Sequence, residues 1–222
     1  MRELRITELF PSGGSMLLEE LYKTRYPWDI LPCLGDIILR LGESLDPEEY
    51  VSPGRGIWIS RSARLSPTAE INAPAIISHG SEVRHSAFIR GGVIVGEGAV
   101  IGNSSEIKNS VIFDGCQIPH FNYVGDSILG RGAHLGAGAV TSNVKTDRSE
   151  VAVRAGEVEI KTGLRKLGAV IGEGAEIGCG AVIAPGAIIG RGARIYPQCF
   201  VRGFVPREHI LKSDGSLVPI NN

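Results

Sequence analysis

An aliphatic residue recurs at every sixth position over much of the chain between residues 59 and 201. The positions are Ile59, Leu65, Ile71, Ile77, Val83, Ile89, Val95, Ile101, Ile107, Ile112, Ile118, Val124, Leu129, Leu135, Ile171, Ile177, Ile183, Ile189, Ile195 and Val201. Most of them are followed four residues later by a small side chain. A period of six fits neither an α-helix at 3.6 nor a lone amphipathic strand at 2. It is typical of a β-helix in which each hexad forms one flat side of a triangular coil.

The register of this repeat divides the chain into three parts. Residues 1–56 lack it, and apolar residues spaced by three and four between Trp28 and Leu45 predict a helical N-terminal cap for the open end of the solenoid. Residues 57–203 are predicted to form an all-β solenoid, a parallel β-helix of roughly seven coils and about 34 Å. Within it, residues 142–170 break the register and predict a projecting β-hairpin and a basic loop. Residues 204–222 are expected to form a C-terminal tail.

The overall charge gives no reason to expect a nucleic-acid or membrane partner. Lys and Arg number 23 against 24 Asp and Glu, which leaves a net charge of −1. The first residues lack the apolar core of a signal peptide, and no apolar run approaches the roughly 18 residues of a membrane span. The four cysteines form no CxxC pair. Reduced thiols in a cytoplasmic protein are therefore the favoured interpretation.

Two cations are predicted to stack on one face of the β-helix. Arg90 follows Ile89 and Lys108 follows Ile107, so the two lie one 18-residue coil apart. Stacked residues are about 4.8 Å apart, the spacing of neighbouring strands. Like charges this close repel unless an anion bridges them. We therefore expect a phosphate site here, with a solvated basic face as the alternative; in either case, removing Lys108 would relieve repulsion in the free protein.

Titratable side chains collect near the same corner. His120 lies one 17-residue coil above Asn103 and one below Ala137, and Tyr123 lies above Glu106 by the same arithmetic. Together with the cation pair, they offer a base, a carboxylate that could orient it, and a phenol. This combination indicates a catalytic or binding site rather than an isolated surface histidine.

A zinc site does not fit the histidine spacing. The three-histidine zinc site of γ-class carbonic anhydrases has a histidine, a second about 35 residues later and a third five after that. His85 and His120 match the first interval, but position 125 is Gly125. No metal is therefore expected.

Several segments carry a family resemblance, namely Gly102–Ser110, Pro119–Asp126, Leu135–Gly138, Asn143 and the loop Thr162–Gly168. They resemble the acetyltransferase half of the bacterial bifunctional N-acetylglucosamine-1-phosphate uridyltransferases. They are also similar to the β-helix domain of related archaeal and clostridial sugar-1-phosphate nucleotidylyltransferases, over roughly residues 80 to 200. The resemblance implies a left-handed coil, a homotrimer with active sites between neighbouring chains, and acetyl-CoA as acyl donor. It implies N-acetylation of an amino-sugar 1-phosphate or a related sugar phosphate.

The resemblance also implies a role for ten residues. It makes His120 the general base, supported by Glu106. It assigns binding of the sugar phosphate to Arg90 and Lys108. It assigns binding of the sugar to Tyr123, Asn143 and His134, and binding of the coenzyme to Ala137, Cys179 and Tyr196.

The sequence departs from the family pattern at several of its binding positions. His134 replaces an asparagine, Val144 a tyrosine and Ser149 a lysine, and Tyr196-Pro197 replaces a pair of small residues. Two functions therefore stay open. One is an N-acetyltransferase, and the other is a catalytically inactive structural or regulatory trimer that binds a sugar phosphate or nucleotide sugar.

The family's nucleotidyltransferase domain is not expected in this sequence. Ser12-Gly13-Gly14-Ser15 is too short for the Gly-rich nucleotide loop and lacks its lysine. No nucleotidyltransferase activity is expected from this chain alone.

Overall fold

Three sheets of mostly parallel strands wind around one core in the computed structural model, which describes residues 2–11 and 16–220. Sheet A has the order β1-β2-β5-β8-β11-β14-β19-β22-β25, sheet B β27-β26-β23-β20-β15-β12-β9-β6-β3, and sheet C β24-β21-β16-β13-β10-β7-β4. Successive strands go to successive sheets, as in a three-sided coil. The predicted fold class, a left-handed parallel β-helix of hexapeptide repeats, is confirmed.

The strands are short, and they are named here in chain order. They are β1 (Tyr50–Gly54), β2 (Ile57–Ser60), β3 (Arg64–Leu65), β4 (Glu70–Ile71), β5 (Ala75–Ile77), β6 (Glu82–Val83), β7 (Phe88–Ile89), β8 (Val93–Val95), β9 (Val100–Asn103), β10 (Glu106–Lys108), β11 (Ser110–Ile112), β12 (Gln117–His120), β13 (Tyr123–Gly125), β14 (Ile128–Leu129), β15 (His134–Leu135), β16 (Val140–Thr141), β17 (Ala152–Ala155), β18 (Val158–Lys161), β19 (Ala169–Ile171), β20 (Glu176–Ile177), β21 (Val182–Ile183), β22 (Ala187–Ile189), β23 (Arg194–Ile195), β24 (Phe200–Val201), β25 (Phe204–Val205), β26 (His209–Leu211) and β27 (Leu217–Pro219).

The aliphatic residues of the repeat stack on one another inside the coil. In sheet A, Ile77 pairs with Val95, Val95 with Ile112, and Ile112 with Leu129, each pair one coil apart. All four are buried. The steps of 18, 17 and 17 residues are those that the sequence predicts, so the coil arithmetic holds across the five-residue steps.

The N-terminal helices cover the side of the β-helix rather than its end. The 3-10 helices span Arg2–Leu4 and Pro27–Cys33, and the α-helices are α1 (Ile6–Leu9), α2 (Met16–Tyr22) and α3 (Leu34–Glu43). α3 packs against β5 and β8 of sheet A, and the ring of Phe10 stacks on Phe113 at 5.4 Å. At Gly42 a Cβ would lie 2.3 Å from the Trp58 ring, so the close approach of α3 to β2 requires glycine.

The helices pack on this side because the outward residues of sheet A are apolar. In its strands, the residue just before the inward one points away from the core and is nevertheless apolar and buried, namely Ile76, Ile94, Val111, Ile128, Val170 and Ile188. The helical segment therefore lies on the face that needs a cover. The first coil stays partly open, since Ile59, Leu65 and Ile71 are only partly buried. The segment Ser12–Ser15, considered above as a nucleotide loop, lies outside the described residues.

Two other segments differ from expectation. In the 142–170 insertion, β17 and β18 form the expected antiparallel hairpin, but it does not project freely because Val151, Val153 and Ala155 are buried. The described part of the predicted tail 204–222, residues 204–220, is not separate, because β25 and β26 extend sheets A and B and β27 closes sheet B antiparallel. Among the described residues, sheet B therefore has eight parallel strands, against the roughly seven coils expected. Val205 and Leu211, both buried, continue the inward repeat past residue 203.

Candidate active site

The predicted cation stack is present at the end of sheet C, but each cation already has a carboxylate partner. Ile89 pairs with Ile107, which puts Arg90 and Lys108 in adjacent coils. Arg90 Nη1 donates to Glu106 Oε1 at 2.7 Å, and Lys108 Nζ lies 3.4 Å from Asp126 Oδ2. The two carboxylates offset the repulsion between the cations, so the fold does not need an anion to hold them together.

Asp126 is the centre of this cluster, and the sequence analysis gave it no role. Its side chain is 5% exposed. Asn109 Nδ2 donates to Oδ1 at 2.8 Å, and Asn143 Nδ2 donates to Oδ2 at 2.5 Å. The signal was available, since Asn109, Asp126 and Asn143 are each 17 residues apart and therefore occupy one column of the coil.

Tyr123 joins the cluster from the outer face of sheet C. It pairs with Glu106 in the coil below, as predicted, and Asn143 Nδ2 donates to its hydroxyl at 3.2 Å. Burial raises the pKa of Tyr123, and the negative charges of Asp126 and Glu106 raise it further. The phenol therefore stays protonated at neutral pH and can donate a hydrogen bond to a ligand.

His120 lies at the corner between sheets B and C, at the end of β12. Its strand neighbour in the coil below is Asn103, as predicted, and Gly138 N donates to the His120 carbonyl from the coil above. The imidazole is exposed and makes no hydrogen bond with any described residue. Glu106, expected to orient it, is bonded to Arg90 instead. The imidazole is thus free to meet a ligand, and the orienting role of Glu106 stays a prediction.

The turn after His120 is held in an uncommon conformation. Phe121 has a φ of +53° although it is bulky, and its side chain is 64% exposed. Asn122 fixes this turn, because its Oδ1 accepts from His120 N at 3.0 Å and its Nδ2 donates to the carbonyls of Gly136 and Ala139. Such conformations persist where surrounding contacts hold them, and they cluster at functional sites.

A narrow strip of small residues runs along the coil above His120. Successive hydrogen bonds place Ala137 and then Cys179 above it in the same column, and both are exposed. Neither of their N–H groups donates within the part of the chain that the structure describes. In the adjacent column, Gly136 and Gly178 lie so close to the next coil that a Cβ would come within 2.6 Å of backbone atoms. Tyr196, 42% exposed, ends the strip.

These features fit a slender, extended ligand. The strip has small side chains, it offers two backbone N–H groups that donate to no described residue, and it leads to the His120 corner. The Tyr196 ring occupies the position next to its far end.

His134 does not join the other sugar-binding candidates in this chain. It lies on the outer face of sheet B between Gln117 and Glu176. Its Nδ1 is 2.8 Å from Glu176 Oε2. Tyr123, Asn143 and Lys108 belong to sheet C or to the corner at its end, so a sugar held there would not meet His134 of the same chain unless it spanned both faces.

A groove of about 550 Å³ opens on sheet C above Tyr123. Tyr123 pairs with Val140, Val140 with Val182 and Val182 with Phe200, one coil at a time. The groove lies between these upper strands and the 142–154 loop, with Arg154 and Arg202 in its wall. Phe200 is 66% exposed, so the upper part of this face is apolar and uncovered.

Neither a metal cluster nor a membrane-crossing helix is found in the described ranges, 2–11 and 16–220. No three histidine, cysteine, aspartate or glutamate side chains come together there as metal ligands would. None of the helices there has the length and apolar character needed to cross a bilayer.

Comparison with known proteins supports the hexapeptide-repeat assignment. Residues 71–166 match the GMPPB C-terminal domain, and residues 168–203 match the bacterial transferase hexapeptide with six repeats. A bifunctional sugar-1-phosphate nucleotidylyltransferase/acetyltransferase of Sulfurisphaera tokodaii is 40% identical over 92 residues, 41% of this chain and 23% of that protein. Bifunctional protein GlmU of Methanococcus maripaludis is 34% identical over 109 residues, 49% of this chain and 26% of that protein.

The solved structures that resemble this chain share less sequence with it. The acetyltransferase domain of PglB from Neisseria gonorrhoeae, in complex with acetyl coenzyme A, is 18% identical, with 74% of this chain and 57% of that chain covered and a TM-score of 0.37. A putative acetyltransferase of Bacillus cereus is 16% identical, with coverages of 71% and 77% and a TM-score of 0.46.

The chain spans about a quarter of the length of these two curated relatives. The two family matches lie in its β-helix, and together with these relatives they confirm the resemblance inferred from the sequence motifs.

Proposed function

We propose that this chain is an acyltransferase that moves the acetyl group of acetyl-CoA to the amine of an amino-sugar 1-phosphate or a related sugar phosphate. The proposal rests on the placement of two groups of side chains on opposite sides of one corner of the coil. The cations Arg90 and Lys108 lie on one side with the hydrogen-bonded Tyr123 and Asn143. The unpartnered imidazole of His120 lies on the other side, at the foot of the strip.

His120 would serve as the general base. An amine attacks a thioester only in its neutral form, and a histidine titrates near the pH at which such a base works best. Its exposed imidazole could accept the proton that the amine loses as the new amide forms, and could return it to the coenzyme A thiolate that leaves when the thioester C–S bond breaks. Bound acetyl-CoA would supply the thioester, with the amides of Ala137 and Cys179 directing its arm along the strip.

The phosphate of the substrate would enter between Arg90 and Lys108. Lys108 is held by a buried partner, whereas Glu106 is 34% exposed on its side chain and can move. A phosphate that binds Arg90 competes with Glu106 for the guanidinium. Glu106, once released, would be free to turn toward the corner of His120 and orient its ring.

A homotrimer would complete the site. His134 faces outward on sheet B, so in a trimer it would meet a sugar held on the sheet C face of a neighbouring copy. The exposed apolar residues Val182 and Phe200 on sheet C, with Phe121 at the corner, offer a contact surface for that copy. Light scattering should give a trimer at micromolar concentration, and a monomer would remove this part of the proposal.

One alternative has support of its own. A catalytically inactive trimer that binds a sugar phosphate or nucleotide sugar would keep Arg90 and Lys108 without needing an oriented base. The Glu106–Arg90 bond and the replacements Val144, Ser149 and Tyr196 are compatible with it.

The test is acetyl transfer itself. The purified protein is incubated with acetyl-CoA and a panel of hexosamine 1-phosphates, with the unphosphorylated hexosamines as controls, and the release of free CoA thiol is followed. The proposal predicts turnover that depends on both the amine and the phosphate. Binding of sugar phosphates without thiol release would support the inactive alternative.

A further inference from the structure

Asp126 holds the polar groups of the proposed sugar-phosphate site, and it touches no part of the acyl strip. We infer that Asp126 is a positioning residue, whose carboxylate orients the carboxamide of Asn143 toward the sugar and balances the charge of the Lys108 ammonium. The inference rests on the proposed function for the identity of that substrate.

The geometry is that of a buried acceptor with three donors. Asn109 binds Oδ1, while Asn143 at 2.5 Å and Lys108 at 3.4 Å both approach Oδ2. The two flanking positions of this column, Asn109 and Asn143, are neutral. A buried carboxylate is costly unless it is paired and hydrogen-bonded, so a neutral residue would serve better as a mere link between coils.

The carboxylate also decides which way the amide of Asn143 points. An ionised carboxylate only accepts hydrogen bonds, so Asn143 must turn Nδ2 toward it. The same Nδ2 donates to the hydroxyl of Tyr123. Asn143 Oδ1 then has no partner among the described residues and can accept from a ligand, and the Tyr123 hydroxyl keeps its own proton to donate. Asp126 therefore fixes an acceptor, Asn143 Oδ1, and a donor, the Tyr123 hydroxyl, beside Lys108, whose charge it balances.

A comparable aspartate elsewhere serves as the control. Asp114 also bridges neighbouring coils, since its Oδ1 accepts from Glu97 N at 3.0 Å and its Oδ2 pairs with Arg131 at 2.9 Å. It lies after β11, at the corner between sheets A and B, and contacts none of the proposed site residues. Loss of Asp114 thus reports the structural share of such a bridge.

The experiment titrates the full chain, as Asp126→Asn, Asp114→Asn and wild type, with glucosamine 1-phosphate and with inorganic phosphate. Asparagine keeps the size of the side chain and tolerates the φ of +50° at this position. For Asp126→Asn we expect affinity for the sugar phosphate to fall about ten- to a hundredfold, the range for hydrogen bonds to charged groups. Inorganic phosphate should bind as tightly or more tightly, because the site loses a negative charge. Asp114→Asn should leave both affinities unchanged.

Equal weakening of both ligands, or unchanged affinity for the sugar phosphate, would overturn the inference. If Asp126→Asn does not fold, Asp126→Glu repeats the test with the charge kept and the anchor displaced. Failure of both variants to fold would mean that Asp126 is structural only, which also overturns it.

The same titrations separate this inference from the proposed function. A wild type that binds both ligands but transfers no acetyl group would end the proposed function and leave the role of Asp126 to be decided by the variants. A wild type that binds neither ligand would overturn both.

Discussion

Replacing Lys108 with alanine should weaken the binding of phosphorylated sugars far more than that of the same sugars without phosphate. Lys108 stacks one coil above Arg90, and its side chain is 25% exposed, so its ammonium is partly shielded from water. A charge-assisted hydrogen bond in such a place contributes about 1.5–3 kcal/mol, which corresponds to about a ten- to hundredfold loss of affinity.

The same substitution should lower the stability of the free protein. From the sequence alone, removal of Lys108 is expected to relieve repulsion with Arg90. The structure reverses that sign, because Arg90 is paired with Glu106 and Lys108 is the only cation within 4.0 Å of the buried Asp126 among the residues the structure describes. Leaving a buried carboxylate short of a partner costs about 1–3 kcal/mol.

Calorimetric titration of wild type and Lys108→Ala with glucosamine 1-phosphate and with glucosamine measures the first effect, and urea unfolding measures the second. Lys161→Ala, on the exposed edge of the β17–β18 hairpin, is the matched control and should change neither. Equal losses for both sugars would mean that the cation stack is a solvated basic face, and the sugar-phosphate assignment would fall with it.

Two further predictions use other groups of the same site. Cys33 and Cys179 are exposed and should react quickly with a thiol reagent, whereas Cys116, whose pKa is raised to about 12 by burial, should react only after unfolding. Bound coenzyme A should protect Cys179 from the reagent but should not protect Cys33. If coenzyme A protects neither thiol, the strip is not the coenzyme site. The pKa of Tyr123 is raised mainly by burial and further by the charges of Asp126 and Glu106. An unfolded tyrosine, by contrast, has a pKa of about 10. The unfolded state thus loses its proton first, and the free energy of unfolding falls as pH rises from about 10 through the folded pKa. In urea titrations between pH 9 and 11, Tyr123→Phe should lose less unfolding free energy than wild type. An identical loss in the two proteins would contradict the effect.

The β-helix could be predicted from the sequence because its inward positions obey one rule. An aliphatic residue every sixth position, with steps of five where a coil has 17 residues, fixes which residues stack. The pairs Glu106 with Tyr123 and Asn103 with His120 follow from subtraction alone, and both are observed. The repeat also continues through Val205 and Leu211, but the Gly and Pro residues around them hid it in a segment interpreted as a tail.

The partners of charged side chains could not be read in the same way. Stacking arithmetic gives the position of a Cα, whereas the long side chains of Arg90 and Glu106 choose among several neighbours within reach. Their 2.7 Å contact replaces the expected bond from Glu106 to His120. The repeat likewise does not predict where the helical segment packs, because that depends on which outer face of the β-helix is apolar. That face is marked by Ile76, Ile94 and Val111, which are as apolar as the inward residues that follow them in the sequence.

The most direct test of the account is the rate of acetyl transfer by His120→Ala. His85→Ala is the matched control, since it lies at the same corner two coils below and is bonded to Thr68 at 2.7 Å rather than facing the strip. With acetyl-CoA and a hexosamine 1-phosphate that the wild type turns over, His120→Ala should lower kcat by about 10²–10⁴-fold, the usual contribution of a general base, with KM and thermal stability little changed. His85→Ala should keep the wild-type kcat. An His120→Ala protein that transfers acetyl groups at the wild-type rate would contradict the central claim.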